Sequence, residues 1–198
     1  SVGEVCSSKV DLVFVLDSSD SIDKDAENPE NWQSILAFAA SIIDKYTIGP
    51  DDTRVALVTF SYSSEIEFDL NTYTDKQKLK ERILATKYVN SYTNTFEGLR
   101  MMRVAFSFSR GDRADVPNVA IVVTDGEHTR DTGDPIPEAE RAQAEGITIL
   151  AVGVNQAVEA ELAGISSAPH KENETYWMRT DFTDLTNIIN ELQKTSCA

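Results

Sequence analysis

Basic residues are in short supply in this 198-residue chain: 18 Lys and Arg against 33 Asp and Glu leave a formal net charge of −15. A field of that sign repels phosphate backbones and anionic lipid surfaces, so broad nucleic-acid or membrane-surface binding is disfavoured, and cations and basic partners are the natural guests. No apolar stretch approaches the roughly 18 residues of a membrane span, so no membrane insertion is expected. Ser1 to Lys9 carry no signal-peptide pattern, and the chain reads as mature or excised. Histidine is limited to the isolated His128 and His170, neither of which is assigned a catalytic role. Internal repeats and low-complexity tracts are absent. Cysteine is limited to Cys6 and Cys197, at opposite ends and outside the apolar segments. Two buried thiols of an intracellular protein are one reading. The terminal placement favours the other, a Cys6–Cys197 disulfide in an oxidising, extracellular setting.

What is present is ordinary for a globular protein: 41% hydrophobic and 26% charged residues argue against disorder and coiled coil. The length predicts one domain over 1–198, with a core at about 10–193. Val10 to Leu16 (VDLVFVL), Arg54 to Phe60, Val119 to Thr124 and Ile147 to Val152 are apolar runs of strand length, of the kind buried on both faces of a parallel sheet. Glu65 to Leu70 alternates like an antiparallel neighbour of the second strand, and Tyr176 to Arg179 adds a short strand. Helical spacing marks Trp32 to Tyr46, Asp75 to Ala85 with Leu79, Ile83 and Leu84 inward, Thr95 to Phe108, Ile136 to Glu145, Val158 to Gly164 and Asp184 to Gln193. The predicted fold class is α/β: a doubly wound, mostly parallel central sheet with one antiparallel edge strand and helices on both faces.

In such sheets ligands bind at the carboxyl ends of the strands, near the point where strand order reverses. Two polar clusters fall there, Asp17-x-Ser19-x-Ser21 and Thr124-Asp125-Gly126-Glu127, and Tyr92-Thr93-Asn94-Thr95 opens a helix nearby. Singly, these read as turn residues and helix caps. Jointly they offer two carboxylates and three hydroxyls, an all-oxygen set suited to magnesium, manganese or calcium and not to zinc.

The segments VDLVFVLDSSDSI (Val10 to Ile22), RVALVTFS (Arg54 to Ser61), YTNTFEGL (Tyr92 to Leu99) and VPNVAIVVTDGE (Val116 to Glu127) resemble the von Willebrand factor type A domain, met also as the inserted domain of integrin α-subunits and in matrilins and collagen VI. The resemblance runs from Val10 to Leu192. It implies a metal-ion-dependent adhesion site in which Ser19 and Ser21 give hydroxyl ligands, Thr93 binds directly or through water, and Asp17 and Asp125 bind mainly through water. Glu127 is then an outer acceptor orienting such waters. A metal with neutral direct ligands keeps an open position, which a partner's Glu or Asp carboxylate completes.

Where the family usually has Gly, this chain has Asp20, and Asp23, Asp25, Glu27 and Glu30 extend the negative rim. The added carboxylate is expected to tighten cation binding and to repel an acidic partner. The resemblance also implies coupling between the C-terminal helix and the metal site, which a Cys6–Cys197 bridge would resist, so a largely constitutive binder is expected. Arg110-Gly111-Asp112 is an RGD tripeptide in a helix–strand loop, a candidate for integrin recognition, and Asn173-Glu174-Thr175 is a glycosylation sequon. Lys76, Lys78, Lys80, Arg82 and Lys87 form the best basic patch, read as a solvated helix face.

The leading functional expectation is a non-enzymatic, secreted extracellular-matrix adhesion module whose partner is collagen or another matrix protein. One alternative is an acidic structural matrix component binding calcium or mineral. A third, a phosphotransferase of the haloacid dehalogenase type, needs a second Asp two residues after the first, and position 19 is Ser.

Overall fold

The computed structural model describes residues 8–23, 27, 29–129 and 132–196. Cys6, Cys197 and Asp25 lie outside the described residues, and with them the expected disulfide. Six strands form one sheet: β1 (Asp11–Asp17), β2 (Arg54–Phe60), β3 (Ser64–Phe68), β4 (Asn118–Thr124), β5 (Ile147–Val154) and β6 (Tyr176–Arg179), in the spatial order β3-β2-β1-β4-β5-β6. Every pairing is parallel except β2 with β3, which are joined by a turn too short for a crossover. The helices are α1 (Glu30–Ile43), α2 (Lys76–Leu84), α3 (Thr95–Ala105), α4 (Pro135–Ala144), α5 (Glu159–Ile165) and α6 (Ile189–Ser196).

Strand parity divides the core into two layers. Leu12, Phe14 and Leu16 point to the side of Trp32, Ile35, Leu79 and Leu192, whereas Val13 and Val15 point to the side of Leu99, Met102, Ala139 and Leu162. This is why β1 is apolar at both parities. Gly98 lets α3 lie close on β2, since a Cβ there would stand 2.7 Å from the Phe60 ring. At the lower edge of the sheet, buried Asp11 accepts from the Arg113 guanidinium at 2.6 Å and from its backbone N–H at 2.8 Å.

Three expectations are corrected. Leu84 is 43% exposed, because it follows Ile83 by about 100° around α2 and leaves the Leu79–Ile83 stripe. α3 ends at Ala105, three residues early, and the chain continues into a 3-10 turn at Phe108–Arg110. The closing helix begins as a 3-10 segment, Phe182–Ile188, and becomes α-helical only at Ile189. Its buried residues Phe182, Leu185 and Ile188 recur every three positions, the period of a 3-10 turn, and the Asp181 carboxylate caps it by accepting from Thr183 N and Asp184 N.

Candidate metal centre

β1 and β4 are neighbours, and from them the chain winds outward in opposite directions, so the crevice of the switch point opens between their carboxyl ends. Asp17 closes β1 and Thr124 closes β4. Asp17 Oδ1 accepts from Ser19 N at 2.9 Å and Oδ2 from the Thr124 hydroxyl at 2.7 Å. The Ser19 and Ser21 hydroxyls are 3.0 Å apart, and Ser21 donates to Asp125 Oδ1 at 2.6 Å. Four of the five expected ligand residues therefore meet in one hydrogen-bonded cluster.

Thr93 arrives on a third segment that is stitched to both loops. Val89 N donates to Ser18 Oγ at 2.8 Å, Asn90 N to Ser18 O at 2.9 Å, and Asp20 N to Ser91 O at 2.8 Å. On the other side, Thr129 N donates to Thr93 O at 2.9 Å and Thr93 N to Thr129 Oγ1 at 3.3 Å. The cap of α3 is Asn94 and neither flanking threonine; its Oδ1 accepts from Glu97 N and its Nδ2 donates to Tyr62 O. That leaves the Thr93 hydroxyl outside the helix cap.

Electrostatics make the cluster an unfinished site. Asp17 and Asp125 are both buried, and among the described residues neither is paired with a Lys, Arg or His. Burial pushes the Asp17 carboxyl up, and burial followed by the charge of Asp17 pushes Asp125 up to about 7. Asp125 Oδ2 is buried without a hydrogen-bond partner, an omission that costs about 1–3 kcal/mol. An oxygen-seeking cation answers all three features, so the residues present fit a hard divalent ion. Among the described residues there is no group of three or more His, Cys, Asp or Glu set to hold a metal, which is the expected outcome for a site built largely of hydroxyls.

Asp20 is exposed, and its φ is not among the positive values, which fall at Asn90, Asn155, His170 and Asn173 among the described non-glycine residues. The loop at this position therefore needs no glycine. Sequence reasoning missed Ser18, Tyr88, Ser91 and Thr129, whose contributions are made by backbone pairing or across long sequence separations and leave no periodic signal. It also missed the partner of His128, whose Nδ1 lies 2.6 Å from Oε2 of the buried Glu161. Glu127 is exposed and lines a cavity with His128.

The remaining candidates lie elsewhere. In the RGD tripeptide, Arg110 pairs with Asp69 at 2.7 Å, Gly111 takes φ of 99° and accepts from Arg54 Nη1, and Asp112 Oδ1 is buried. This loop precedes β4 and so sits at the opposite sheet edge from Asp125. Asn173 is exposed on a turn, and the Thr175 hydroxyl accepts from Lys171 N. The basic helix face is partly neutralised, Lys80 by Asp44 and Arg82 by Glu67.

Human matrilin-3 is 38% identical over 202 residues, covering 98% of this chain and 39% of the matrilin. The mouse collagen alpha-5(VI) chain is 31% identical over 197 residues, covering 99% of this chain and 7% of its own length. Among solved structures, proximal thread matrix protein 1 from the mussel byssus, with a zinc-occupied MIDAS motif, superposes with a TM-score of 0.85 at 30% identity, covering 98% of this chain and 47% of that one. The chain thus spans less than half the length of each of these relatives. Zinc is a borderline cation that also accepts carboxylate oxygen, which is compatible with its place in the motif of that byssal protein. The von Willebrand factor type A domain profile matches residues 11–191, covering all six strands and the whole oxygen cluster, and to that family the chain belongs.

Proposed function

We propose that this domain is a non-enzymatic adhesion module that binds collagen or another matrix protein through a divalent ion held by Ser19, Ser21 and Thr93, with Asp17 and Asp125 acting mainly through water. The observation that carries the reading is the pair of buried carboxylates that share one hydroxyl network and have no Lys, Arg or His partner among the described residues, with Asp125 Oδ2 left unpartnered. When bound, a hard cation supplies a Lewis-acidic position for a partner's Glu or Asp carboxylate. The chain's own residues place the hydroxyls, keep bulk water from Asp17, and fix Thr93 between the other two loops. Kinship with matrilins, collagen VI and a byssal matrix protein sets the domain in the extracellular matrix.

Solid-phase binding to a panel of collagens and matrix glycoproteins tests this, run in magnesium, manganese, calcium, zinc or EDTA. Binding is expected with at least one cation, is lost in EDTA, and is lost in Thr93→Ala and Asp125→Ala. Binding that persists in EDTA refutes the site. Diffuse acidic binding of calcium or mineral, the second reading suggested by the net charge of −15, would instead weaken gradually with ionic strength and survive both substitutions.

A further inference from the structure

Among the motifs that the adhesion reading leaves unused, Asn173-Glu174-Thr175 is the chain's single acceptor sequence for an asparagine-linked sugar. It lies in the turn that enters β6, which begins at Tyr176. Asn173 is exposed, and its backbone takes φ of 60°, a left-handed value that asparagine tolerates better than most residues. Its backbone N–H donates to Tyr176 O at 2.8 Å. Its side-chain amide, in contrast, makes no hydrogen bond among the described residues. The neighbours leave the space beyond it open, since Glu172 and Glu174 are exposed and Glu174 pairs back with Lys171. β6 is the last strand of the order, and Asn173 precedes it, at the sheet edge opposite to Asp17 and Asp125. A sugar there stands clear of the metal loops.

The other half of the motif is in a different state. Thr175 is 5% exposed, and its hydroxyl accepts from Lys171 N at 3.1 Å and stands 3.4 Å from Ser166 Oγ. Its main chain is bound on both sides, with Thr175 N donating to Lys171 O at 2.9 Å and Thr175 O accepting from Ala151 N at 3.0 Å. Because the motif requires a hydroxyl two residues after the asparagine, an enzyme that recognises it must reach that hydroxyl. The folded domain displays the acceptor nitrogen and withholds the hydroxyl. Modification therefore has to come before β6 joins β5.

We propose that Asn173 carries an asparagine-linked oligosaccharide, attached while the segment is still unfolded, and that closure of the turn before β6 then shuts the site to later addition. In the transfer, Nδ2 of Asn173 bonds to the anomeric carbon of a lipid-diphosphate-linked oligosaccharide. The bond from that carbon to the diphosphate oxygen breaks, the lipid diphosphate leaves with the electron pair, and the nitrogen loses one proton. The extracellular setting shared with matrilins and the byssal protein takes the chain through the secretory compartment that supplies this donor. The proposal is independent of the ion site.

The full chain, secreted from an insect cell line behind a cleavable leader, is treated with a peptide N-glycosidase in heavy-oxygen water, which turns a sugar-bearing asparagine into labelled aspartate. The expected result is one glycosidase-sensitive mass increment per chain, with the label at Asn173 in the peptide mass spectrum. Asn173→Asp, which tolerates the same backbone angle, and Thr175→Ala are expected to lose the increment, and Thr175→Ser to keep it. An unmodified secreted chain, a label elsewhere, or an increment that survives Asn173→Asp overturns the assignment. Microsomes supplied with the donor test the order of events. The folded chain made in bacteria is expected to stay unmodified, whereas the synthetic segment 169–180 is modified. Modification of the folded chain, or refusal of the free segment, overturns the role given to the turn.

Discussion

The Tyr88 hydroxyl joins both ends of the metal loop: it donates to Ser19 O at 2.6 Å and accepts from Asp23 N at 3.1 Å. Its ring packs 5.9 Å from that of Trp32, whose backbone N–H is in turn held by the Asp23 carboxylate. Tyr88 sits five residues before Thr93, so one side chain fixes the spacing between two of the three converging segments.

Tyr88→Phe keeps the ring and removes only the hydroxyl's bonds, those two and a longer one to Asp23 O at 3.3 Å. With a net worth of about 0.5–1.5 kcal/mol per hydrogen bond, magnesium affinity is expected to fall roughly threefold to tenfold, with little change in secondary structure. Calorimetric titration checks the first and circular dichroism the second. Unaltered cation affinity removes Tyr88 from the positioning of the site.

The ion-free domain is expected to lose stability as pH rises from about 4 to above 7. Folded Asp125 keeps its proton to about 7, whereas in the unfolded chain it is released near the ordinary value of about 4. In that window the folded state binds more protons, so the slope of stability against pH is negative, with a total loss on the order of 2–4 kcal/mol. Saturating magnesium, which binds the ionised form, is expected to cancel the loss. Urea denaturation at pH 5 and pH 8, with and without the cation, measures it, and a flat profile in EDTA contradicts it.

Asp20→Gly is expected to strengthen binding to a carboxylate-bearing partner by removing a negative group from the rim. The backbone at Asp20 does not require glycine, so the change acts through charge and not through loop rescue. Surface plasmon resonance at two salt concentrations reads it; unchanged affinity counts against the repulsion.

Gly98→Ala is expected to destabilise the domain by roughly 1–3 kcal/mol, since the new methyl meets the Phe60 ring at 2.7 Å and α3 must shift on β2. Because Thr93 and Asn94 lead into α3, cation affinity is expected to fall as well. Thermal unfolding and a magnesium titration together test the pair.

Most of the architecture could be read from periodicity. The VDLVFVL run announced a strand with two buried faces, and Arg54–Phe60 and Tyr176–Arg179 matched to the residue. The end of α3 and the 3-10 opening of the last helix were misjudged, because stepping every three or every four positions looks alike over one or two turns. Of the site, Asp17, Ser19, Ser21 and Asp125 were legible since each lies at or just beyond the end of an apolar strand. Tyr88, Ser91 and Thr129 were not, because their work is done across 30 to 70 residues of chain or through the backbone.

The last helix is moored at two heights. Glu191 in α6 accepts from Trp177 Nε1 on β6 at 2.9 Å, and Ser196, one turn further on, shares a buried hydrogen bond with the Tyr46 hydroxyl just past α1. Sliding α6 by a single turn would break both at once and leave a phenol stranded in hydrocarbon. A pull on α6 is therefore opposed by bonds inside the domain itself.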